Sequence, residues 1–328
     1  MMKRLLTAAV AALTITAPAA AADQVKFQLD WLPGGEKAPI FVCMERGFCA
    51  DAGLEVTIES GRGSSEALTK LATGISDIGI SGIGALMAAR ATENIAVTAV
   101  MSVFNKGPHA FFTIEGNGIS KFADVGGRSI ATSPFTSSNI YLPLVLADNG
   151  LSEDSIKVTK ADPGALGPML VTGQVDAIIA WVTDVSRYTG QATEAGKELI
   201  VLPWSEAGLD MYSTSVVASD KFLTERPDVA RRFVAAFMKS IEYCRENPDD
   251  AAQAVVDAVP EIDAKSARGS LADALVLMFN EVTEQYPLGS FDPERLAATW
   301  KRVAAAQELD ESAVNPEDVV DRSFMPGS

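Results

Sequence analysis

A repeated junction constrains this chain more than any other feature. Leu71-Ala72-Thr73-Gly74-Ile75-Ser76-Asp77 and Leu170-Val171-Thr172-Gly173-Gln174-Val175-Asp176 agree at four of seven positions. Each stretch reads as a helix end, a glycine stop, an aspartate and then a short buried strand. A helix that stops at glycine and feeds a strand is half of a βαβ unit, which builds parallel sheets. Two copies predict two α/β lobes of like topology.

The neighbouring segments fit that plan. Val25–Leu29 alternates as a strand, and Ala38–Arg46 reads as a compact helix. Residues 54–58 enter another strand. Ser64 or Ser65 can cap a helix with apolar positions Leu68, Leu71 and Ile75. Residues 77–80 and 95–101 are buried strands, with a helix opened by Ser81-Gly82 between them. The second half repeats the pattern: a strand over 128–131, a polar helix start at 136–139, a helix over 141–146, a strand over 155–159 and another over 176–180. Strands alternating with helices predict mixed sheets covered on both faces. From Pro227 the chain becomes helical, with starts marked by Asn247-Pro248, Asp292-Pro293 and Asn315-Pro316. Phe233, Phe237 and Ile241 mark the buried stripe of one such helix, and Cys244 extends it.

Residues 1–22 read as an export signal. Lys3 and Arg4 precede an apolar run from Leu5 to Thr16, then Pro18 and a small-residue cleavage site at Ala20-Ala21-Ala22. The run is shorter than the ~20 residues a membrane span needs. The expected product is a soluble protein of the periplasm. Removing two positive charges takes the formal net charge from −16 to −18. Such a surface repels nucleic acid. Export permits a disulfide. Cys43 and Cys49 lie six residues apart across the Gly47 turn, and a bridge or two separate buried thiols are both open.

No catalytic signature is present: no G-x-S-x-G, P-loop, G-x-G-x-x-G or H-E-x-x-H. His109 is the sole histidine, so neither a multi-histidine metal site nor a cofactor is expected, and His109 itself reads as structural. What remains is a set of polar turns at strand ends, where open α/β sheets bind ligands. Asp30-Trp31 follows the first strand, Gly61-Arg62-Gly63-Ser64-Ser65 the second, Ser81 the third and Asn105 the fourth. Ser133-Pro134-Phe135-Thr136-Ser137-Ser138 follows a strand of the second half, and Trp181 and Asp184 follow another. Hydroxyls at such positions either cap helices or hold a ligand. Trp31, Phe135 and Trp181 either pack in the core or stack on a flat solute.

Taken together, these segments resemble the solute-binding proteins of ABC importers, in the NMT1/THI5-like group that includes thiamine-precursor, taurine and alkanesulfonate binders. The resemblance rests on Asp30-Trp31-Leu32-Pro33, Glu45-Arg46-Gly47-Phe48, Gly53-Leu54-Glu55-Val56, Gly61-Arg62-Gly63-Ser64-Ser65, residues 119–128, and the Gly74/Asp77 and Gly173/Asp176 junctions with Ala180-Trp181. It implies a type II two-lobe fold with a hinge of two crossing segments. Residues 23–116 and 213–328 would form the first lobe, and 117–212 the second. It also implies a monomer that captures a small solute between the lobes and hands it to a membrane permease. A planar nitrogenous or aromatic solute is expected. Trp31 and Trp181 would stack on it, with Asp30, Ser64, Ser65, Ser81, Asn105, Thr136, Ser137, Ser138 and Asp184 as polar contacts. A sulfonate or carboxylate favoured by Lys37 and Arg62 is the rival ligand, unless those two are solvated surface charges. Two departures stand out: Lys37 replaces a histidine common in pyrimidine-precursor binders, and Cys49 replaces an aromatic residue. A pyrimidine-synthesising enzyme would need a cysteine-rich segment that is missing. A sensor module would use the same closed state as a transporter.

Overall fold

The computed structural model describes residues 21–327. The expected signal therefore lies almost wholly outside the described residues. Among the described residues, ten strands form two five-stranded sheets. The first contains β1 (Asp23–Gln28), β2 (Leu54–Glu59), β3 (Ile78–Gly82), β4 (Val97–Ser102) and β10 (Thr214–Ser219). The second contains β5 (His109–Ile114), β6 (Ser129–Thr132), β7 (Lys157–Lys160), β8 (Ala177–Trp181) and β9 (Leu199–Pro203). The strand orders are β2-β1-β3-β10-β4 and β7-β6-β8-β5-β9. Position for position these are the same sheet, and each has its antiparallel strand (β10 or β5) in fourth place.

The repeated junctions occupy equivalent places, leading into β3 and β8. Gly74 and Gly173 both adopt φ +74°, a left-handed conformation that glycine tolerates without strain. Asp77 then accepts the β1 backbone N–H of Lys26 at 2.9 Å, and Asp176 accepts the β6 backbone N–H of Ser129 at 2.8 Å. Each aspartate locks its helix–strand turn to the strand in second place of its own sheet, β1 or β6. The expected helix register is corrected at one point: the helix Ser64–Ala72 ends before Ile75, which is 54% exposed beyond the Gly74 stop.

The chain crosses between sheets twice, between Ser102 and His109 and between Pro203 and Thr214. This corrects the expected division at 116/117, because β5 belongs to the second sheet. The sequence places His109 in an apolar strand context, but the sheet that strand joins is set by its partners β8 and β9, which are distant in the chain. The crossing segments hydrogen-bond to each other through Phe104 and Ser213. The helix Pro293–Ala306 braces them. Arg295 donates to the Asn105 carbonyl at 2.7 Å and pairs with Asp210 at 2.5 Å, while Thr299 Oγ1 accepts the Tyr212 N–H.

Three apolar cores result. One packs the helix Pro227–Glu246 on the first sheet, where Phe233 and Phe237 stack on Phe27. Cys244 is fully buried there. Another lies within the second lobe around Phe112, Leu166 and Tyr188. The largest residues of the remaining core (Tyr141, Trp204, Tyr212 and Trp300) come from both lobes and the C-terminal helix. Cys43 and Cys49 are bonded, with Cα atoms 5.0 Å apart, which resolves the choice the sequence left open. Among the described residues no helix is long and apolar enough to cross a membrane.

Candidate functional site: the cleft between the lobes

The carboxyl-end turns of the two sheets face each other. The Ser133 hydroxyl donates to the Arg62 carbonyl at 2.6 Å, and the Ser65 N–H donates to the Phe135 carbonyl at 3.1 Å. Gly63 has φ +155°, and a Cβ there would fall 2.1 Å from the Phe135 carbonyl carbon. Only glycine lets the lobes approach this closely. Gly82 lies against Ser137 in the same way, with a would-be Cβ 3.0 Å from the serine Cβ.

Deeper in the cleft, charge is concentrated. Gly34-Gly35 lets the chain lie directly on the helix Ala264–Met278, since a Cβ on Gly35 would fall 1.8 Å from the Ala267 carbonyl oxygen. Glu36 then accepts the Ser270 hydroxyl at 2.9 Å. Lys37, buried, donates to Asp30 at 2.7 Å and stands 3.7 Å from Glu36. Burial pulls the Lys37 ammonium down, but Asp30, Glu36 and Asp184 outweigh it and leave its pKa raised. The same ammonium lies 5.3 Å from the centroid of the Trp181 ring, within cation–π range. Burial and then Glu36 push the Asp184 carboxyl up to about 7, against the pull of Arg187 and Lys37.

From Trp181 the contacts continue into the second lobe. Its ring meets His109 edge-on at 5.9 Å and Phe104 at 6.4 Å. His109 Nδ1 lies 2.8 Å from Ser138 Oγ, which is 3.3 Å from Thr136 Oγ1. Burial holds the imidazole pKa down at about 3, so it is neutral at physiological pH. The two tryptophans cross reciprocally: Trp31, from the first lobe, packs on the second lobe's core, and Trp181 packs on the first lobe's core. Several buried polar atoms here have no protein partner: Asp30 Oδ2, Trp31 Nε1, His109 Nε2, Ser137 Oγ, Ser213 Oγ and Thr214 Oγ1. An unpaired buried polar group costs roughly 1–3 kcal/mol, and of these residues Thr214 lines the small void beside Lys37.

The cleft thus gathers Asp30, Trp31, Ser64, Ser81, Thr136, Ser137, Ser138, Trp181 and Asp184 from the expected set. Ser64 and Ser81 are partly spent on one another's turn, Ser64 accepting the Gly82 N–H and Ser81 donating to the Ser64 carbonyl. Four expected residues are placed differently. Arg62 points outward, half exposed, pairing with Glu66 at 2.8 Å and covering Phe135 at 4.8 Å. Phe135 therefore lies under that guanidinium at the rim. The Ser65 side chain is exposed. Asn105 belongs to the hinge, where its amide bonds Met278 and Asn280. Sequence reasoning passed over Glu36, Ser213 and Thr214, and read Lys37 as an anion holder or a solvated surface charge, whereas it is buried and paired with Asp30. Two charges set directly between Gly34-Gly35 and an apolar run were the available signal for the first pair. β10, which carries Thr214, gave no local signal. Among the described residues no group of three or more His, Cys, Asp or Glu is arranged to hold a metal ion.

Two like lobes joined by two crossings, with a polar and aromatic cleft between them, define the fold of the two-lobe solute-binding proteins. The alkanesulfonate-binding protein SsuA of Xanthomonas axonopodis pv. citri, solved with MOPS, superposes with a TM-score of 0.72 at 18% identity, covering 93% of this chain and 100% of that one. A family model described as NMT1/THI5 like matches residues 35–251. The chain belongs to that family. Among curated relatives, the riboflavin-binding protein RibY of Chloroflexus aurantiacus is 25% identical, over 98% of this chain and 95% of the relative. A formylaminopyrimidine-binding protein of Halalkalibacterium halodurans is 24% identical over 91% and 89%. The 4-amino-5-hydroxymethyl-2-methylpyrimidine phosphate synthase THI13 of Saccharomyces cerevisiae is 22% identical over 74% and 73%.

Proposed function

We propose that this protein is the solute-binding component of an ABC importer, acting as a monomer in the periplasm and delivering a planar, nitrogen-bearing aromatic solute to a membrane permease. The observation that carries the ligand class is the charge balance of the cleft. Three carboxylates, Asp30, Glu36 and Asp184, face two cations, the Lys37 ammonium beside the Trp181 ring and the Arg187 guanidinium near Asp184. That surplus of acceptors suits ring N–H and amino groups and repels a sulfonate. The one guanidinium expected to hold an anion, Arg62, is neutralised by Glu66 at the rim. The named ligands of two relatives, riboflavin and formylaminopyrimidine, are of the favoured class. The bonded Cys43–Cys49 pair supports an oxidising compartment. A binding role rather than synthesis is favoured because two relatives that align with about nine-tenths or more of the chain are named as binding proteins.

The test is a melting-temperature screen against flavins, pyrimidines, taurine and MOPS. A ligand of the native state raises the melting temperature through mass action, by about 2.7 kcal/mol of stability at 100 times Kd. Flavins or pyrimidines are expected to shift it and the sulfonates not. Trp181→Ala should weaken the response at least about tenfold, the loss of one aromatic contact. A shift by sulfonates alone would defeat the reading.

A further inference from the structure

We propose that the groove between the helices Val185–Glu194 and Ala264–Met278 extends the ligand site and takes an uncharged, hydroxyl-bearing chain attached to the ring. This rests on the binding role proposed above. The groove has a volume of about 1170 Å³, whereas the void beside Lys37, Phe104 and Thr214 measures about 10 Å³. Glu36 lines both spaces, so they share a wall. Asp184 also lines the groove, at the end of the strand that carries Trp181. A solute seated beside Glu36 and larger than a bare ring therefore has room to extend into the groove. Ligand sites of drug-sized molecules run to roughly 300–1000 Å³, and at about 1170 Å³ this groove lies just above that range.

The walls specify the chain's chemistry. Ser186, Thr189, Thr193 and Ser266 offer hydroxyls along both helices. Five acidic residues face three basic ones, and of the latter Arg268 is already paired with Asp249 at 2.6 Å. A phosphate would meet net negative charge, while a neutral polyol meets matched donors and acceptors. Gly269 and Ser186 set the closest approach of the two walls, a Cβ on Gly269 falling 2.0 Å from the serine oxygen. Gly190 also lines the groove, and a Cβ there meets nothing within 4 Å, so a side chain at 190 would fill the groove without backbone strain.

The experiment uses the purified protein and two probe pairs that differ only in a hydroxylated appendage: lumichrome with riboflavin, and cytosine with cytidine. Flavin mononucleotide adds the phosphate. In whichever pair binds, the hydroxylated member is expected to bind at least about tenfold tighter, worth ~1.4 kcal/mol, and flavin mononucleotide more weakly than riboflavin. Gly190→Trp should erase the difference within the pair and leave the bare ring's affinity intact. Thr189→Tyr serves as a second filling variant, and Gly164→Trp, on a helix outside the groove, as the control. Equal affinities within the pair, or groove variants that change neither, overturn the groove assignment while leaving the ring site standing. Silence from both pairs overturns the proposed ligand class and the groove with it.

Discussion

Lys37 shows what a single buried charge does to this molecule. Its ammonium is enclosed by Asp30, Glu36 and Asp184, and its side chain is 1% exposed. Removing it strands Asp30 in a low-dielectric site. Lys37→Met should therefore cost about 3–5 kcal/mol, and Lys37→Met with Asp30→Asn should cost clearly less than that. Urea titration of the two variants checks this, and a double variant as unstable as the single would contradict it. Asp184 and His109 set opposing pH dependences. The Asp184 carboxyl is raised from 3.8 to about 7, so its contribution is full below pH 3.8 and is lost as pH rises through 7. The His109 imidazole is lowered from 6.5 to about 3, so its contribution is full above pH 6.5 and is lost as pH falls through 3. Asp184→Asn should thus stabilise the protein at pH 8, on the order of 2 kcal/mol, and scarcely at all near pH 4. Melting curves at the two pH values decide it; a gain independent of pH would show that Asp184 is not the titrating group.

At the scale of elements, the two junctions do the same work with different strength. Asp77 holds the Lys26 N–H, whereas Asp176 holds both the N–H and the hydroxyl of Ser129, at 2.8 and 2.7 Å. The backbone and side-chain bonds to Ser129 keep the Asp176 carboxyl below its ordinary range. Asp176→Ala should cost about 2 kcal/mol and Asp77→Ala about 1. Chemical denaturation at pH 7 tests the order, and a reversal would mean the bonds differ in solution. These junctions were legible in the sequence because the helix stop, the left-handed glycine and the strand-locking aspartate are all local. β5, β9 and β10 were not, because their places depend on pairing across long stretches of chain. Asn105 illustrates the consequence at a site: it follows a strand end as expected, but the helix Pro293–Ala306 claims it for the hinge.

For the whole molecule, the hinge is more than two strands of chain. Arg295 ties the first crossing, through the Asn105 carbonyl, to the second, through Asp210. On the far side of that helix, Gln307 reaches the second lobe at the Ile140 carbonyl, 2.8 Å away. The C-terminal helix therefore bonds to both crossing segments and to the second lobe. Arg295→Ala should destabilise the protein by about 1.5–3 kcal/mol, the range for hydrogen bonds to a charged group. It should also broaden the distribution of lobe separations, read by spin labels on the two lobes. An unchanged distribution would remove Arg295 from the hinge. Opening and closing about such a hinge is how two-lobe binders engage solutes.

What the sequence determined by itself was everything carried by short-range chemistry. It specified the alternation that makes two like lobes, the glycine-aspartate junctions, the polar turns at strand ends and the family those turns mark. Only the tertiary structure decided which of those turns share the cleft. It turned Arg62 outward to Glu66, gave Asn105 to the hinge, and buried Lys37 among carboxylates brought together from Asp30, Glu36 and Asp184. The physical reason is that a turn's hydrogen bonds depend on residues a few positions away. The charge a ligand meets depends on how two separately folded sheets close on one another.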